Sequence, residues 1–493
     1  MDVLDAYGEW AAELDLSDVP DDVVRLAEIQ VAGQVAAAEA GSEVHARDGD
    51  DAYSRAFRRA AASCSQDYDD YLFAGHTGHS AVWASVEACR ERELDGAALL
   101  ESVVVANELE GRLGAAATVG PHNGQMWAFL HAAGAAAVLA RLDGDAEAVA
   151  DAVRLALYSP EHPFDAGFMD GHAKDYTAAA PTARGMRLGE AAADGARGAR
   201  HALEEFLDEY AFLPAPEFLD AWGSAWVTRS LSIKPRPGCA YVQAPLQAYE
   251  SLSEAVDGDI ASVEVDCTLL TLAMENLSRR HRRADVLYPV NVNFSVGYTL
   301  GLHEAAGEVS SEALSTSELA EHEADVRWFD DQVELSHDWD LTIDVLDGVS
   351  DAVDVGSLLD GRGRVERLKA LRRMREAHDS APTRREAFKL LAQRKPVALL
   401  QALNGGLDWE EFDLSLARYD ELRLDFGCHV EVETESGERK SREVRRHRGA
   451  AGDPVERRTE VAREKYEREV GGDFDVYLGL PDVELDEAAG LLD

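Results

Sequence analysis

Over its first 210 residues the chain is rich in alanine, with apolar positions three and four apart and few β-branched runs. That spacing puts one apolar face on each helix, and such faces can be buried only against other helices, so it predicts a helical array. Segments 21–40, 80–113, 128–157 and 179–211 carry the pattern most clearly. The stretch GHSAVWASVEACRERELDGAALLESVVVANELEGRLG reads as two packed helices joined at Leu94-Asp95-Gly96, where Asp95 can cap the second. The first of the pair begins from a Gly/His loop at 75–79.

After Trp226 the pattern changes. ASVEVDCTLLTLAM alternates Val263, Val265, Cys267 and Leu269 as a strand does, and LRLDFGCHVEVETESGERKSREVRRH reads as a hairpin turning at Glu435-Ser436-Gly437-Glu438. Helices are expected between them near 290–306, 356–378 and 383–403. Asp453 before Pro454 matches an N-cap and first-turn proline, and EVAREKYEREV then runs to Gly471-Gly472. The expected fold is therefore mainly α. An all-helical domain is built from 1–228 and 446–493, and a smaller α+β lid domain, 229–445, is inserted in it. There is no internal repeat, and no low-complexity segment beyond the alanine bias.

The 493 residues are 46% hydrophobic and carry 48 Lys+Arg against 94 Asp+Glu, a formal net charge of −46. The carboxylates are dispersed along the chain and lysine is scarce, which suggests a cytoplasm of molar salt and argues against nucleic acid and anionic membranes as partners. The cysteines at 64, 89, 239, 267 and 428 are widely separated, with no CxxC or His-flanked spacing, so neither a disulfide framework nor a metal site is expected. MDVLDAYGEW is acidic and lacks an apolar signal core. The stretch from Leu113 to Ala140 has no Asp, Glu, Lys or Arg but holds Pro121, His122, Asn123, Gln125 and His131, and reads as buried loop and helix.

Five stretches hold polar residues that helix packing does not need. In RSLSIKPRPGCAY (229–241) two prolines fix a stiff extended corner around Lys234 and Arg236, holding two cations on a rigid loop. In DYDDYLFAGHTGHSAVW (67–83), Asp67, Asp69 and Asp70 precede His76 and His79 at a helix N-terminus. A carboxylate can orient an imidazole for proton transfer there, although a capping loop accounts for the same residues equally well. TVGPHNGQMWAFLHAAG (118–134) can present backbone N–H groups and His122 to a ligand, or serve as an ordinary connector. DAGFMDGHAKDYTAAAPTARG (165–185) sets His172 and Lys174 before a small-residue helix carrying Arg184, and a lone lysine is more often solvated than functional. In FSVGY (294–298), Tyr298 on an apolar face is more often core than catalyst. The chain has no P-loop, nucleotide-binding glycine fingerprint, GxSxG elbow or HExxH.

Taken in order, from about Asp21 to Val470, these stretches resemble the MmgE/PrpD family, which includes 2-methylcitrate dehydratases, cis-aconitate decarboxylases and iminodisuccinate epimerases. DYDD followed by GHTGHSAVWASVEACRE is similar to the family's acidic stretch and histidine loop, with His79 preferred over His76 because SAVWASVEA follows it directly. Lys174 stands 11 residues before Gly185, as the family's active-site lysine stands before its glycine. IKPRPGC is similar to the K-P-x-P-x-C corner, with Lys234 and Cys239 in register, and FSVGY to the helix bearing a site tyrosine.

The resemblance implies a cytoplasmic, cofactor-independent homodimer. It implies a lyase of the 2-methylcitrate dehydratase type, which removes a proton next to a carboxylate of a small di- or tricarboxylate and expels water. The alternatives are a decarboxylase, an epimerase or isomerase, or a catalytically silent carboxylate-binding relative. His79, Asp69, Asp70, Lys174 and Tyr298 are the implied catalytic residues; Lys234, Arg236, His76, His122 and Cys239 are the implied substrate contacts. Thr177, Ala240 and Gln243 stand where the family commonly has histidine or basic residues.

Overall fold

The computed structural model describes residues 2–41, 43–46, 49–117, 128–161, 163–211, 213–353, 369, 372 and 416–483. His122 and the helices expected near 356–378 and 383–403 lie outside the described residues, apart from isolated positions. Among the described residues the first part of the chain forms helices joined by loops: α1 (Val3–Glu13), α2 (Asp21–Ala40), α3 (Ala52–Ser65), α4 (Gly78–Glu91), α5 (Gly96–Ala116), α6 (Ala128–Asp143), α7 (Ala146–Leu157), α8 (Asp165–Met169), α9 (Tyr176–Ala193) and α10 (Ala202–Tyr210). Asp95 caps α5 as expected, its side chain accepting from Ala98 N. The segment 128–157 is two helices rather than one, because Asp145 caps a new start at Ala146.

Alanine and glycine decide how these helices pack. A Cβ at Gly185 of α9 would overlap the Ala132 carbonyl of α6, and one at Gly189 would overlap that of Ala136. The two backbones therefore approach more closely than larger side chains allow, and α9 is fixed against α6 along its middle, in the helix that follows Lys174's segment.

The inserted region contains α11 (Ala240–Ser253), β1 (Ile260–Cys267), α12 (Leu269–His281), α13 (Pro289–Asn293), α14 (Val296–Ala306), α15 (Thr316–Asp330), β2 (Val333–His337), α16 (Trp339–Ala352), β3 (Cys428–Thr434) and β4 (Arg439–Val444). Its sheet runs β2-β1-β3-β4, with β1 parallel to β2 and antiparallel to β3, and β3 antiparallel to β4. The expected hairpin is present, its turn using Gly437 at φ 84°. The β1 strand is shorter than the alternation suggested: Thr268 accepts from Thr271 N and starts α12, so Leu269 is helical.

The chain returns through α17 (Val455–Glu469). Here the expected cap is corrected. Pro454 occupies the N-cap position without a side-chain bond, while the Asp453 carboxylate accepts from Gly449 N at 2.9 Å. The fold is mainly α with a small α+β part, and it has two principal cores. The larger gathers α1–α7, α9 and α10 with Ala352, Val353, 417–424 and α17; the other gathers Tyr241–Val333 and Cys428–Val444, together with Phe168 and Met169. Among the described residues no helix is long and apolar enough to cross a membrane. All five cysteines are free.

Candidate functional site

The site is assembled where α3 ends. Asp67 follows the helix at φ 52°, a left-handed backbone that a non-glycine residue seldom takes. The bend turns both its carbonyl and its carboxylate to one neighbour: Lys234 Nζ donates to Asp67 O at 2.6 Å and lies 3.3 Å from Asp67 Oδ2. The same ammonium donates to Asp69 Oδ1 at 3.0 Å. Lys174, on a single turn ahead of α9, donates to the Cys64 carbonyl and lies 3.1 Å from Asp67 Oδ1. The Cys64 thiol in turn donates to the Lys174 carbonyl at 3.4 Å.

Lys174, Lys234, Asp67 and Asp69 are each 0% exposed. Burial opposes the charge on every one of them, so the charged state depends on the pairing. For Lys234, burial is outweighed by Asp67 and Asp69, and its ammonium is held above the ordinary lysine value. Burial likewise pushes the Asp69 carboxyl up, and Lys234, His76 and His79 together hold it well below the carboxylate range. Removing one partner from such a buried set leaves a charge uncompensated, at a cost of about 3–5 kcal/mol.

The proline corner is rigid for a visible reason. Pro235 has no N–H to donate, and its carbonyl accepts from Tyr68 at 3.0 Å and from Arg468 at 2.9 Å. Gly238 N donates to Gln66 O, and Ile233 N donates to Gly449 O. Lys234 is thereby delivered to the 67–70 loop from a backbone pinned on both sides.

Asp69 also holds the histidines. Its Oδ2 is 2.5 Å from His76 Nδ1 and 3.2 Å from His79 Nε2. Ser63 Oγ meets His79 Nδ1 at 2.8 Å, which orients the ring. His79 Nε2 is buried and has no aligned hydrogen-bond partner among the described residues. Behind it, 5.7 Å away edge-on, lies His131, which burial holds well below the ordinary histidine value and which meets Ser80 Oγ at 2.8 Å. An imidazole on a carboxylate with two ammonium groups close by is equipped to take a proton from carbon and to favour the resulting anion.

The other sequence candidates fall differently. Asp70 is buried but turned to α2, accepting from Gln30 at 2.7 Å and Gln34 at 2.5 Å, and burial raises its carboxyl. It is Asp69 that orients the histidines. Arg236 is not aimed at the cluster; Glu250 and Glu308 each bind it at 3.1 Å. Tyr298 lies in the second core, where its hydroxyl accepts from Arg327 at 3.1 Å and its ring sits 4.0 Å from the Arg282 guanidinium. None of its contacts among the described residues reaches the lysines or histidines. From FSVGY it is Phe294 that faces the site, its ring 5.7 Å from Lys174 Nζ. Cys239 starts α11 beside Lys234, with burial pushing its thiol up.

Sequence reasoning missed Lys465. It lies on α17, 1% exposed, donates to the Tyr68 carbonyl and sits 4.4 Å over the Tyr68 ring. A signal existed. The chain has only seven lysines, and among the described residues 174, 234 and 465 are buried against the 64–69 segment.

A shallow cleft of about 40 Å³ opens beside the cluster, lined in part by Ser65, Gln66, His172, Asp175, Pro289 and Val290. It touches the loops bearing Asp67 and Lys174 and draws on both parts of the chain. No protein-family model matches the chain, and no curated protein matches it.

Proposed function

We propose that the chain is a lyase of the 2-methylcitrate dehydratase type, acting on a small di- or tricarboxylate. The observation that carries this reading is the convergence of Lys174 and Lys234, both fully buried, on the loop whose Asp69 also holds His76 and His79. A substrate carboxylate exchanging with Asp67 would gain both ammonium groups. His79 then takes the proton from the adjacent carbon, the electron pair forms the alkene, and the hydroxyl on the next carbon leaves as water with a proton from His76. The lysines favour the charge that develops on the carboxylate during this step.

The cleft admits only a few waters, whereas a small-molecule site needs on the order of 300 Å³. Turnover in this reading therefore needs more room than the cleft offers among the described residues. A cytoplasmic homodimer belongs to the same reading and is supported by the resemblance alone; light scattering in molar KCl tests the dimer.

A second reading, carboxylate binding without turnover, is favoured by one observation: Asp67 and Asp69 already saturate both lysines. Proton NMR of the protein in molar KCl with 2-methylcitrate, citrate, cis-aconitate and related dicarboxylates separates the two. An alkene product supports the lyase. Loss of CO₂ or epimerisation moves the assignment to the alternative reactions of the same pocket, and tight binding with no product supports the second reading.

A further inference from the structure

The Asp69, His76 and His79 cluster has a property that proton transfer does not require. One ligand atom from each residue lies within 4.8 Å of the others, and all three residues are buried. We propose that these residues bind a single divalent cation of the zinc type, and that the bound ion takes both imidazoles out of proton transfer. The blocking part rests on the function proposed above; the binding part does not.

Two imidazoles and one carboxylate are a donor set suited to zinc, cobalt or nickel, and they leave a fourth position open. The spacing needs little change. Donors about 2.1 Å from a tetrahedral ion stand roughly 3.4 Å apart. His79 Nε2 is already 3.2 Å from Asp69 Oδ2, and His76 Nδ1, at 2.5 Å, would move out by about an ångström on its loop.

The surroundings are those of a ligand set rather than of a chance encounter. His79 Nε2 is fully buried without an aligned hydrogen-bond partner among the described residues, while Ser63 holds the ring's other nitrogen at 2.8 Å. The second Asp69 oxygen is engaged by Lys234 at 3.0 Å, the kind of outer contact that fixes a ligating carboxylate. The scattered cysteines gave no hint of this site; the loop from Asp69 to Thr77 and the first turn of α4, which carries His79, build it.

Lys234 also sets the selectivity. Its charge stands close to the proposed ion and disfavours cations held mainly by electrostatics, so magnesium and calcium should not bind, whereas ions with strong nitrogen affinity should.

The test is titration of the chelator-stripped full chain in molar KCl, with Co²⁺ followed by its visible d–d absorption and Zn²⁺ by calorimetry. The expected result is one site per chain, weakened at least about 100-fold in both His76→Ala and His79→Gln and unchanged in His201→Ala, whose side chain is 82% exposed. No saturable binding, or binding unaltered in both site variants, would overturn the proposal. X-ray absorption of the zinc-loaded wild type serves if a variant does not fold: two imidazoles and a carboxylate support the site, and a different first shell refutes it. Solvent-deuterium exchange into a substrate separates the two claims. Exchange continuing at full rate with the ion bound overturns the block. Exchange absent from the metal-free chain counts against the lyase reading alone, and the titration still decides binding.

Discussion

Asp67 joins Lys174 to Lys234, and its neighbours test that role. Asp67→Asn and Lys174→Met should each destabilise the protein by about 3–5 kcal/mol, and the double variant by less than their sum, because each single change strands a buried charge that the double change removes. Denaturant unfolding of the four proteins gives the coupling, and strict additivity would contradict the buried cluster. Lys465 carries a different signature. Burial pushes its ammonium down to about 8 from an ordinary 10.5. Between those values the folded chain binds fewer protons than the unfolded chain, so Lys465 makes stability rise with pH there, and its cost is constant below pH 8. The stability of wild type relative to Lys465→Met should therefore increase by on the order of 3 kcal/mol from pH 7.5 to 10.5. A flat difference would contradict a buried charged lysine. At this scale the sequence disclosed Lys174, Lys234 and the histidines through their loops. It could not disclose which carboxylate of DYDD faces them, because that depends on the left-handed bend at Asp67.

The elements act by holding loops rather than by contributing many site residues. α17 donates through Lys465 to the Tyr68 carbonyl and through Arg468 to both Tyr68 and Pro235, so one helix ties the acidic loop to the proline corner. α9 is set against α6 by glycine. Gly185→Ala should destabilise the protein by about 1–3 kcal/mol through overpacking, visible as a lower Tm in molar KCl; an unchanged Tm would mean the helices part without cost. Helices were legible where period and cap agreed, as at α5, where Asp95 caps the helix. The β2 strand was not, since VELSH is five residues long and its parallel partner β1 lies some 70 residues earlier, beyond the reach of local pattern. Tyr298 was misplaced by motif for a related reason: FSVGY fixes the helix, and the Arg282 and Arg327 contacts that engage the ring come from elsewhere.

Over the whole molecule, a net charge of −46 must be held on one compact chain. Self-repulsion is screened over ~3 Å in molar salt but over ~10 Å at 0.1 M. The Tm should therefore fall steeply as KCl is lowered from molar to 0.1 M, and a salt-independent Tm would show that the dispersed carboxylates are not a folding constraint. The site lies inside this charge, with two buried lysines and two buried aspartates in balance, at the place where the two cores share a cleft. The mainly α architecture was legible in alanine content and period; the small cleft was not, because it depends on how the inserted part sits on the helices. The central claim is that this cluster removes a proton next to a substrate carboxylate. It is tested most directly by NMR of deuterium uptake from D₂O into the polycarboxylate panel, comparing wild type with Lys174→Met and His79→Gln. The account predicts uptake or alkene formation by wild type, reduced at least 100-fold in both variants while each remains folded. Equal rates in all three proteins would contradict it.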